Sequence, residues 1–215
     1  MQPKVLLVDD HPIVRQGIRR LIEKEPGLSV CGEAEDALEA LEVIEREHPD
    51  IIVLDLSLKN SSGFDLILDV KQRWENVRIL VLSMYSEDVY AERVLRAGAS
   101  GYIMKHEAPK RVITAIWAVL NGAVYVSDNV SANILQSMAG KRTTTSSVDS
   151  LSDRELQVFQ MIGEGLTHQQ IADKLVLSVK TIESHVEHIK EKMRISSGRE
   201  LLQRAIEWVL GAQQG

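Results

Sequence analysis

The chain has 215 residues, of which 44% are hydrophobic and 26% charged, and its formal net charge is −6. This composition excludes a disordered or fibrous protein, and the length suffices for two small domains that each bury a core. The single cysteine, Cys31, excludes an internal disulfide, and the net acidity requires any DNA contact to come from a local surface.

No apolar run in the sequence approaches the roughly 18 residues that a membrane span needs. The opening residues MQPKVLL lead into a strand pattern rather than a signal peptide. We therefore expect a cytoplasmic protein without a membrane partner.

Residues 4 to 121 alternate between short runs rich in Val, Ile and Leu and helical patterns, which is typical of βαβ units on a parallel sheet. The predicted strands are residues 4–9, 28–34, 51–55, 78–83 and 100–104. The first two helices are predicted from apolar stripes at Val14, Ile18, Leu21 and Ile22, and at Leu38, Leu41 and Ile44. The later helices are predicted at 62–74, 86–97 and 109–121. Five strands and five helices predict a doubly wound α/β domain.

Four of the apolar runs stop at polar residues of the kind that phosphate chemistry uses. KVLLVDD ends at Asp9 and Asp10, IIVLD at Asp55, ILVLS at Ser83, and GYIM is followed by Lys105. Because the carboxyl ends of parallel strands meet at one edge of a sheet, we expect these side chains to lie close together. Three clustered carboxylates repel one another, and Mg²⁺, which prefers oxygen ligands, would relieve that repulsion.

Asp55 is the best candidate for a nucleophile, since an aspartate carboxylate can attack phosphorus to give an acyl phosphate. Each of the other residues also has an ordinary structural interpretation. Asp10 could cap the helix that follows it, Ser83 could be a strand-end hydroxyl, and Lys105 could be a solvated surface charge. The ordered set at compatible strand ends favours the phosphate site.

The pattern changes after the first domain. Residues 138–150 are rich in Ser and Thr and lack apolar periodicity, which indicates an exposed linker. From residue 151 onward only helical patterns remain. Ser152 and Glu155 have the spacing of a capping box, THQQIADKL predicts a short helix, and Ser178 caps a long helix with the sequence VKTIESHVEHIKEKM.

The long helix has an apolar face for core packing, formed by Ile182, Val186, Ile189 and Met193. Two helices joined by a tight turn can place the polar face of the second in a major groove of DNA. The candidate phosphate contacts are Lys180 and Thr181, with Lys190 and Lys192 in support. The candidates near the bases are Glu183, Ser184 and Glu187, and His188 completes the set of DNA-binding candidates.

The charge of this region predicts weak non-specific binding. Residues 149–215 contain eight Lys or Arg and ten Asp or Glu, a formal charge of −2, and basic residues supply most non-specific affinity for DNA. Glu187 can accept a hydrogen bond from cytosine N4. An equally good interpretation is that Glu187 limits loose binding by repelling phosphates.

Residues 1–122 resemble the receiver domain of bacterial two-component response regulators, through the acidic pair, Asp55, Ser83, Tyr102 and Lys105. The resemblance implies a flavodoxin-like sheet, phosphorylation of Asp55 by a histidine kinase, and a switch that uses Ser83 and Tyr102. It also implies that Lys105 and Ser83 contact the phosphoryl oxygens. The implied Mg²⁺ ligands are Asp9, Asp10, Asp55 and the backbone carbonyl of Ser57.

Residues 149–215 resemble the helix-turn-helix domain of LuxR, NarL and FixJ regulators, through LSDRE, IADKL, LSVKTIESHV and IKEKM. The resemblance implies a four-helix domain that binds promoter DNA, with residues 123–148 as the linker region and RNA polymerase as a further candidate partner. It also implies a homodimer through the fourth helix, near 199–210. The apolar stripe of that helix, Leu202, Ile206 and Val209, supports a dimer, packs within its own domain, or does both.

Two functions from different classes therefore compete. The first is a phosphorylation-controlled transcription regulator, whose only catalysis is its own phosphorylation and dephosphorylation at Asp55. The second is a Mg-dependent aspartyl-phosphate hydrolase. Hydrolases of the haloacid-dehalogenase type carry a DxD arrangement on the first strand, whereas the pair here is adjacent and the third acid follows the third predicted strand.

Overall fold

A computed structural model describes residues 2–58, 61–138 and 147–212. The chain divides into two compact units, Met1–Leu135 and Gln136–Gly215. Most of the predicted exposed linker, residues 139–146, lies outside the described residues.

The first unit contains a parallel five-stranded sheet in the order β2-β1-β3-β4-β5. This order and the alternation of strands and helices confirm the predicted doubly wound α/β fold. The strands are β1 (Lys4–Val8), β2 (Ser29–Ala34), β3 (Ile51–Leu54), β4 (Arg78–Ser83) and β5 (Gly101–Met104). The helices are α1 (Pro12–Glu23), α2 (Ala37–Glu47), α3 (Gly63–Arg73), α4 (Glu87–Arg96) and α5 (Ala108–Leu120).

The strand order leaves β1 and β3 adjacent at the centre of the sheet, where the connections change direction. Their residues are almost wholly apolar because both faces of a parallel sheet are covered by helices. On one face, Ile18 and Ile22 of α1 and Ile116 of α5 pack against the sheet. This packing holds the carboxyl ends of the strands as a rigid edge.

The predicted stripe on the second helix is wrong in one position. Leu38 is 71% exposed, and the buried face of α2 is formed by Ala40, Val43 and Ile44. At about 100° per residue, Leu38 lies roughly 120° around the helix from Ile44, so the two cannot share a narrow face.

A helix, α6 (Asp128–Met138), lies in the region predicted as linker. It begins against the start of α4, where Ser127 Oγ donates to Glu87 Oε1 at 2.6 Å and Asn129 Nδ2 donates to Asp88 Oδ1 at 2.9 Å. Val130 is buried. These contacts join residues about 40 positions apart, so the sequence around α6 gives no local signal for them. Residues 147–150, also predicted as linker, form a short 3-10 helix.

The second unit is all-helical in the described residues, as predicted: α7 (Asp153–Gly163), α8 (His168–Leu175), α9 (Val179–Met193) and α10 (Gly198–Ala212). Its helix starts are fixed by side-chain caps. Ser152 and Glu155 form the predicted capping box, Thr167 and Gln170 form a second one, and Ser178 caps α9. These caps satisfy amide groups that the first turn of a helix leaves unpaired.

None of the helices in the described ranges is both long enough and apolar enough to cross a membrane.

Candidate functional site

The edge formed by the strand ends collects the predicted polar residues. Asp9 follows β1, Asp55 follows β3, Ser83 ends β4 and Lys105 follows β5. The sheet ladder extends into these positions, since Asp55 N donates to Val8 O at 2.8 Å and Lys105 N donates to Ser83 O at 2.8 Å. The backbone therefore fixes where each of these side chains begins.

Lys105 bridges two of the carboxylates. Its Nζ lies 2.7 Å from Asp55 Oδ2 and 2.8 Å from Asp9 Oδ2. The side chains of all three residues are at most 8% exposed. The structure thus excludes the interpretation of Lys105 as a solvated surface charge.

Burial and charge act in opposite directions on these groups. The pKa of Asp55 is raised to about 6, because burial and, to a smaller extent, the nearby Asp9 outweigh the attraction of Lys105. For Lys105, burial works to lower the pKa, but Asp55 and Asp9 outweigh it and the net pKa is raised. Close to neutral pH the site holds a protonated lysine between carboxylates that repel each other.

This raised pKa predicts a pH-dependent stability in the absence of metal. Between about pH 4 and pH 6 the folded chain holds a proton on Asp55 that the unfolded chain releases, so stability falls as pH rises through this window. We expect Asp55→Asn to remove that loss, which is at most about 3 kcal/mol. Relative to wild type, the variant gains stability between pH 4 and pH 7.

The measurement is urea unfolding in the presence of a chelator, with the first unit followed by the fluorescence of Trp74 and Trp117 in a Trp208→Phe background. Taking the difference between variant and wild type at each pH cancels the titration of other carboxylates. An Asp55→Asn difference that stays constant from pH 4 to pH 7 contradicts the raised pKa.

Asp10 does not cap the first helix, so that interpretation is wrong. The N-cap of α1 is His11, which makes no side-chain capping bond, and Pro12 occupies the first turn. Asp9 Oδ1 instead accepts from His11 N at 2.8 Å. Asp10 is thus free to turn its carboxylate toward the strand edge.

Asp9, Asp10, His11 and Asp55 form a cluster whose potential ligand atoms all lie within 4.8 Å of one another. Asp55 Oδ1 and Asp10 Oδ1 are buried and accept no hydrogen bond among the described residues. His11 Nδ1 lies 2.6 Å from Asp10 Oδ1, without the alignment of a hydrogen bond. Buried, unpaired carboxylate oxygens are suited to a hard divalent cation, so the residues present fit a metal site.

Ser57, the predicted carbonyl ligand, lies in the loop after β3, two residues beyond Asp55 and at the same edge of the sheet. Ser83 is fully buried, and its Oγ accepts from Tyr85 N at 3.2 Å. Tyr102 is also buried, which raises the pKa of its hydroxyl, and that hydroxyl donates to Tyr85 O at 2.6 Å. Ser83 and Tyr102 therefore both hold the backbone of Tyr85.

Sequence reasoning missed two residues at this edge, His11 and Arg15. The ring of His11 lies beside the acidic pair, with Nδ1 3.2 Å from Asp9 Oδ1. Arg15, on the next turn of α1, donates from NH1 to the backbone carbonyl of Asp9 at 2.5 Å. The sequence does show a basic residue in the second turn of the helix after the acidic pair. Where that side chain points, however, depends on tertiary packing.

The faces of α9 agree with their predicted roles in packing and exposure. Ile182, Val186, Ile189 and Met193 are buried. Lys180, Glu183, Ser184, Glu187 and His188 are exposed. Thr181 is half-buried, and its Oγ1 lies 2.8 Å from Ser178 Oγ within the cap. The polar face of α9 is therefore available for a partner.

Two of the lysines predicted to contact DNA phosphates form ion pairs within the protein instead. Lys190 Nζ lies 2.6 Å from Glu187 Oε1, and Lys192 Nζ lies 2.7 Å from Glu155 Oε2. Glu155 is buried; burial works to raise its pKa, but Lys192 and the Ser152 bonds outweigh it and the pKa is lowered. Lys192 thus ties the end of α9 to the capping box of α7.

We expect Lys192→Met to destabilise the second unit by roughly 1–3 kcal/mol at pH 7, because it leaves the buried Glu155 carboxylate without its cation. The pair stabilises only while Glu155 is ionised, so its contribution is lost as pH falls through the lowered pKa of that residue. The difference from wild type should therefore shrink below pH 4. Thermal unfolding at pH 7 and pH 3.5 measures it.

Lys180→Met is the matched control for this prediction, since Lys180 is exposed and forms no ion pair among the described residues. It should leave the unfolding temperature unchanged at both pH values. Equal stability losses for the two variants contradict a structural role for Lys192.

The apolar residues of α10 fall into two groups, one buried in the second unit and one exposed on its surface. Leu201 and Ala205 are buried. Leu202, Ile206 and Leu210 are 42%, 39% and 54% exposed, and Val209 is half-buried. Leu202 and Ile206 are thus covered only in part within the single chain, and with Leu210 they form an apolar strip on the surface of α10.

Comparison with known proteins identifies both units. The family described as response regulator receiver domain matches residues 5–117, and that described as bacterial regulatory proteins, luxR family, matches residues 149–205. The fold and the acidic edge thus define a two-domain regulator with a receiver and a helix-turn-helix. The chain belongs to the response regulators with a LuxR-type DNA-binding domain. This is a family of transcription regulators, which favours the regulator over the hydrolase.

Relatives match over nearly their whole length. Response regulator UvrY of Escherichia coli K12 is 34% identical over 202 residues, covering 94% of this chain and 93% of UvrY. Oxygen regulatory protein NreC of Staphylococcus carnosus is 30% identical over 210 residues, covering 95% of this chain and 97% of NreC.

Solved structures agree with these matches. RcsB of Salmonella enterica serovar Typhimurium, bound to promoter P1flhDC in the presence of the phosphomimetic BeF₃⁻, is 28% identical with a TM-score of 0.70, covering 95% of this chain and 98% of RcsB. Another structure contains two RcsB dimers bound to two parallel DNAs, with a TM-score of 0.59, 28% identity and 99% coverage of both chains.

Proposed function

We propose that a histidine kinase phosphorylates this regulator on Asp55 and that the phosphoryl group controls how tightly its second unit binds promoter DNA. The observation that carries the proposal is the buried carboxylate of Asp55 between Lys105 and the acidic pair, with Oδ1 unpaired. This is the position in the fold where open α/β sheets bind ligands.

Asp55 acts as the nucleophile. One of its carboxylate oxygens attacks the phosphorus of the kinase phosphohistidine, an O–P bond forms as the N–P bond breaks, and the imidazole leaves and takes up a proton. Lys105 Nζ already lies 2.7 Å from Asp55 Oδ2. It is therefore close enough to donate a hydrogen bond to the oxygens of a phosphoryl group attached to Asp55. The Ser83 hydroxyl, at the end of β4, supplies the second predicted contact.

Mg²⁺ is the cofactor that we assign to this edge, with Asp9, Asp10, Asp55 and the carbonyl of Ser57 as its ligands. When bound, the ion neutralises charge on the carboxylates and on the phosphoryl oxygens. The buried, unpaired oxygens of Asp10 and Asp55 support this assignment, because anionic oxygens that lack a hydrogen-bond partner at a buried site suit a hard cation.

A change at the phosphoryl site can reach the loop before α4 through Ser83, Tyr85 and Tyr102. Ser83 and Tyr102 both bond the backbone of Tyr85, which lies just before α4. A phosphoryl group that draws the Ser83 hydroxyl away releases one of these bonds and changes the loop ahead of α4. Tyr102 is buried, and its hydroxyl bond to Tyr85 O helps to hold that loop.

The second unit binds promoter DNA through α9. Its exposed polar face supplies the groove contacts, and the amino terminus of α9, with the exposed Lys180, supplies phosphate contacts. The ion pairs of Lys190 and Lys192 reduce the free positive charge further, so affinity depends on two chains binding together through the apolar strip on α10. RcsB, which binds DNA as dimers, supports this arrangement.

Labelling with acetyl phosphate and Mg²⁺ tests the proposal against the hydrolase. We expect about one phosphoryl group per chain, attached to Asp55 and absent from Asp55→Asn, with no turnover of p-nitrophenyl phosphate. Continuous phosphomonoester hydrolysis by the wild type, abolished in Asp55→Asn, would instead establish the enzyme. Labelling that persists in the variant would place the acceptor elsewhere.

A further inference from the structure

Arg15 is held in a network that ends on the metal-binding edge. Its side chain is 11% exposed, and each nitrogen of its guanidinium has a separate partner. Nε donates to Glu33 Oε2 at 2.8 Å, NH2 donates to Glu35 Oε1 at 3.1 Å, and NH1 donates to Asp9 O at 2.5 Å. Two of these partners lie on or just after β2, so Arg15 joins α1 and β2 to the backbone after β1.

The bond to Asp9 O has a specific geometric consequence. The carbonyl of Asp9 and the amide of Asp10 belong to one rigid peptide plane, so a bond that fixes the carbonyl also fixes the position of the Asp10 Cα and the N–Cα axis from which its side chain extends. The amide of Asp9 is held separately, by Ala34 O at 3.1 Å. The acidic pair is therefore held from both sides, and Arg15 is the side chain that holds the Asp9–Asp10 peptide.

We propose that Arg15 is a positioning residue for the metal site, which orients the Asp10 carboxylate by fixing the Asp9–Asp10 peptide. The inference rests on the proposed Mg²⁺ site. Glu33 and Glu35 serve to aim the guanidinium, and only a planar fork can reach all three partners at once. Lysine at this position keeps the charge but can satisfy only part of the network.

Charge and position predict opposite effects, which makes the proposal testable. If Arg15 acted only through its charge, removing it would strengthen Mg²⁺ binding, since a cation near the site repels the metal. If it acts by orienting Asp10, removing it weakens binding. Residues behind the ligands of a metal site typically contribute about 10- to 100-fold to affinity.

The experiment is isothermal titration of MgCl₂ into the full chain at pH 7.5, for wild type, Arg15→Met, Arg15→Lys and Arg19→Met. Arg19 is the matched control, because it lies on α1 like Arg15 and also pairs with Glu33, but it does not contact Asp9. We expect both Arg15 variants to bind Mg²⁺ about 10- to 100-fold more weakly and Arg19→Met to bind like the wild type. Metal-free thermal unfolding monitors the fold of each variant.

Equal or tighter Mg²⁺ binding by the folded Arg15 variants overturns the inference and leaves the proposed function intact. Should Arg15→Met fail to fold, Arg15→Lys gives the decisive comparison, since charge alone predicts no change for it. A wild-type chain that binds no Mg²⁺ overturns the metal assignment and this inference together. An equal loss in Arg19→Met would also overturn it, because that residue shares only the Glu33 network.

Discussion

Asp55→Asn is expected to abolish the gain in promoter affinity that beryllofluoride and Mg²⁺ produce in the wild-type chain. Two charge-assisted hydrogen bonds, from Lys105 and Ser83, could together contribute roughly 3–6 kcal/mol to the phosphorylated state. Moving a two-state population from 1:99 to 99:1 takes about 5.5 kcal/mol. The phosphoryl group is thus just able to change the populated state.

The size of the expected effect follows from the same populations. If the binding-competent state rises from about 1% to nearly all of the protein, apparent DNA affinity rises by up to roughly 100-fold. Fluorescence anisotropy measures this, with a labelled duplex selected from random sequences by the wild-type chain. The salt concentration is kept constant, because affinity for DNA depends steeply on it.

Asp65→Asn is the control for this measurement. Asp65 is an exposed acidic residue in the first turn of α3 and is not among the predicted metal or phosphoryl contacts, so its replacement should leave the response at the wild-type level. An Asp55→Asn chain that still gains affinity with beryllofluoride would show that the response does not pass through this carboxylate.

The double change Leu202→Gln and Ile206→Gln is expected to weaken binding to a two-half-site operator by about 10- to 100-fold. These side chains are 42% and 39% exposed in the single chain. Burying such residues between two chains stabilises the dimer by about 1.5–3 kcal/mol in total, given their partial burial already, and 1.4 kcal/mol is tenfold in affinity. Glutamine adds no charge, so long-range attraction to DNA is unchanged.

Two comparisons separate this loss from damage to the fold. Binding to a single half-site should remain at the wild-type level, because that contact needs only α9 of one chain. Gln203→Ala, at an exposed polar position on α10, should leave both affinities unchanged. Equal losses on one and two half-sites would mean that the strip supports the domain itself and not a dimer.

Local sequence patterns were sufficient for every described strand and α-helix except α6, and for the chemistry of the strand ends. Apolar runs of four to six residues became the five strands, and the capping residues Ser152 and Ser178 start the helices where their spacing indicated. These signals are short-range, since strand burial and helix capping depend on neighbours within a few residues. They also placed Asp55 and Lys105 at the same edge, because parallel strands end together.

Only the tertiary structure decided which partners these residues have. Lys105 contacts Asp55 across 50 positions, and Lys192 contacts Glu155 across 37. The position of α6 was likewise set by contacts with a distant segment, the start of α4. Such contacts follow from how helices lie on the sheet and on one another, which no periodicity within one element encodes. The sequence by itself thus determined the acidic edge and the capped helix pair, while the fold alone decided which charges are paired, which oxygens remain free and which apolar side chains stay on the surface.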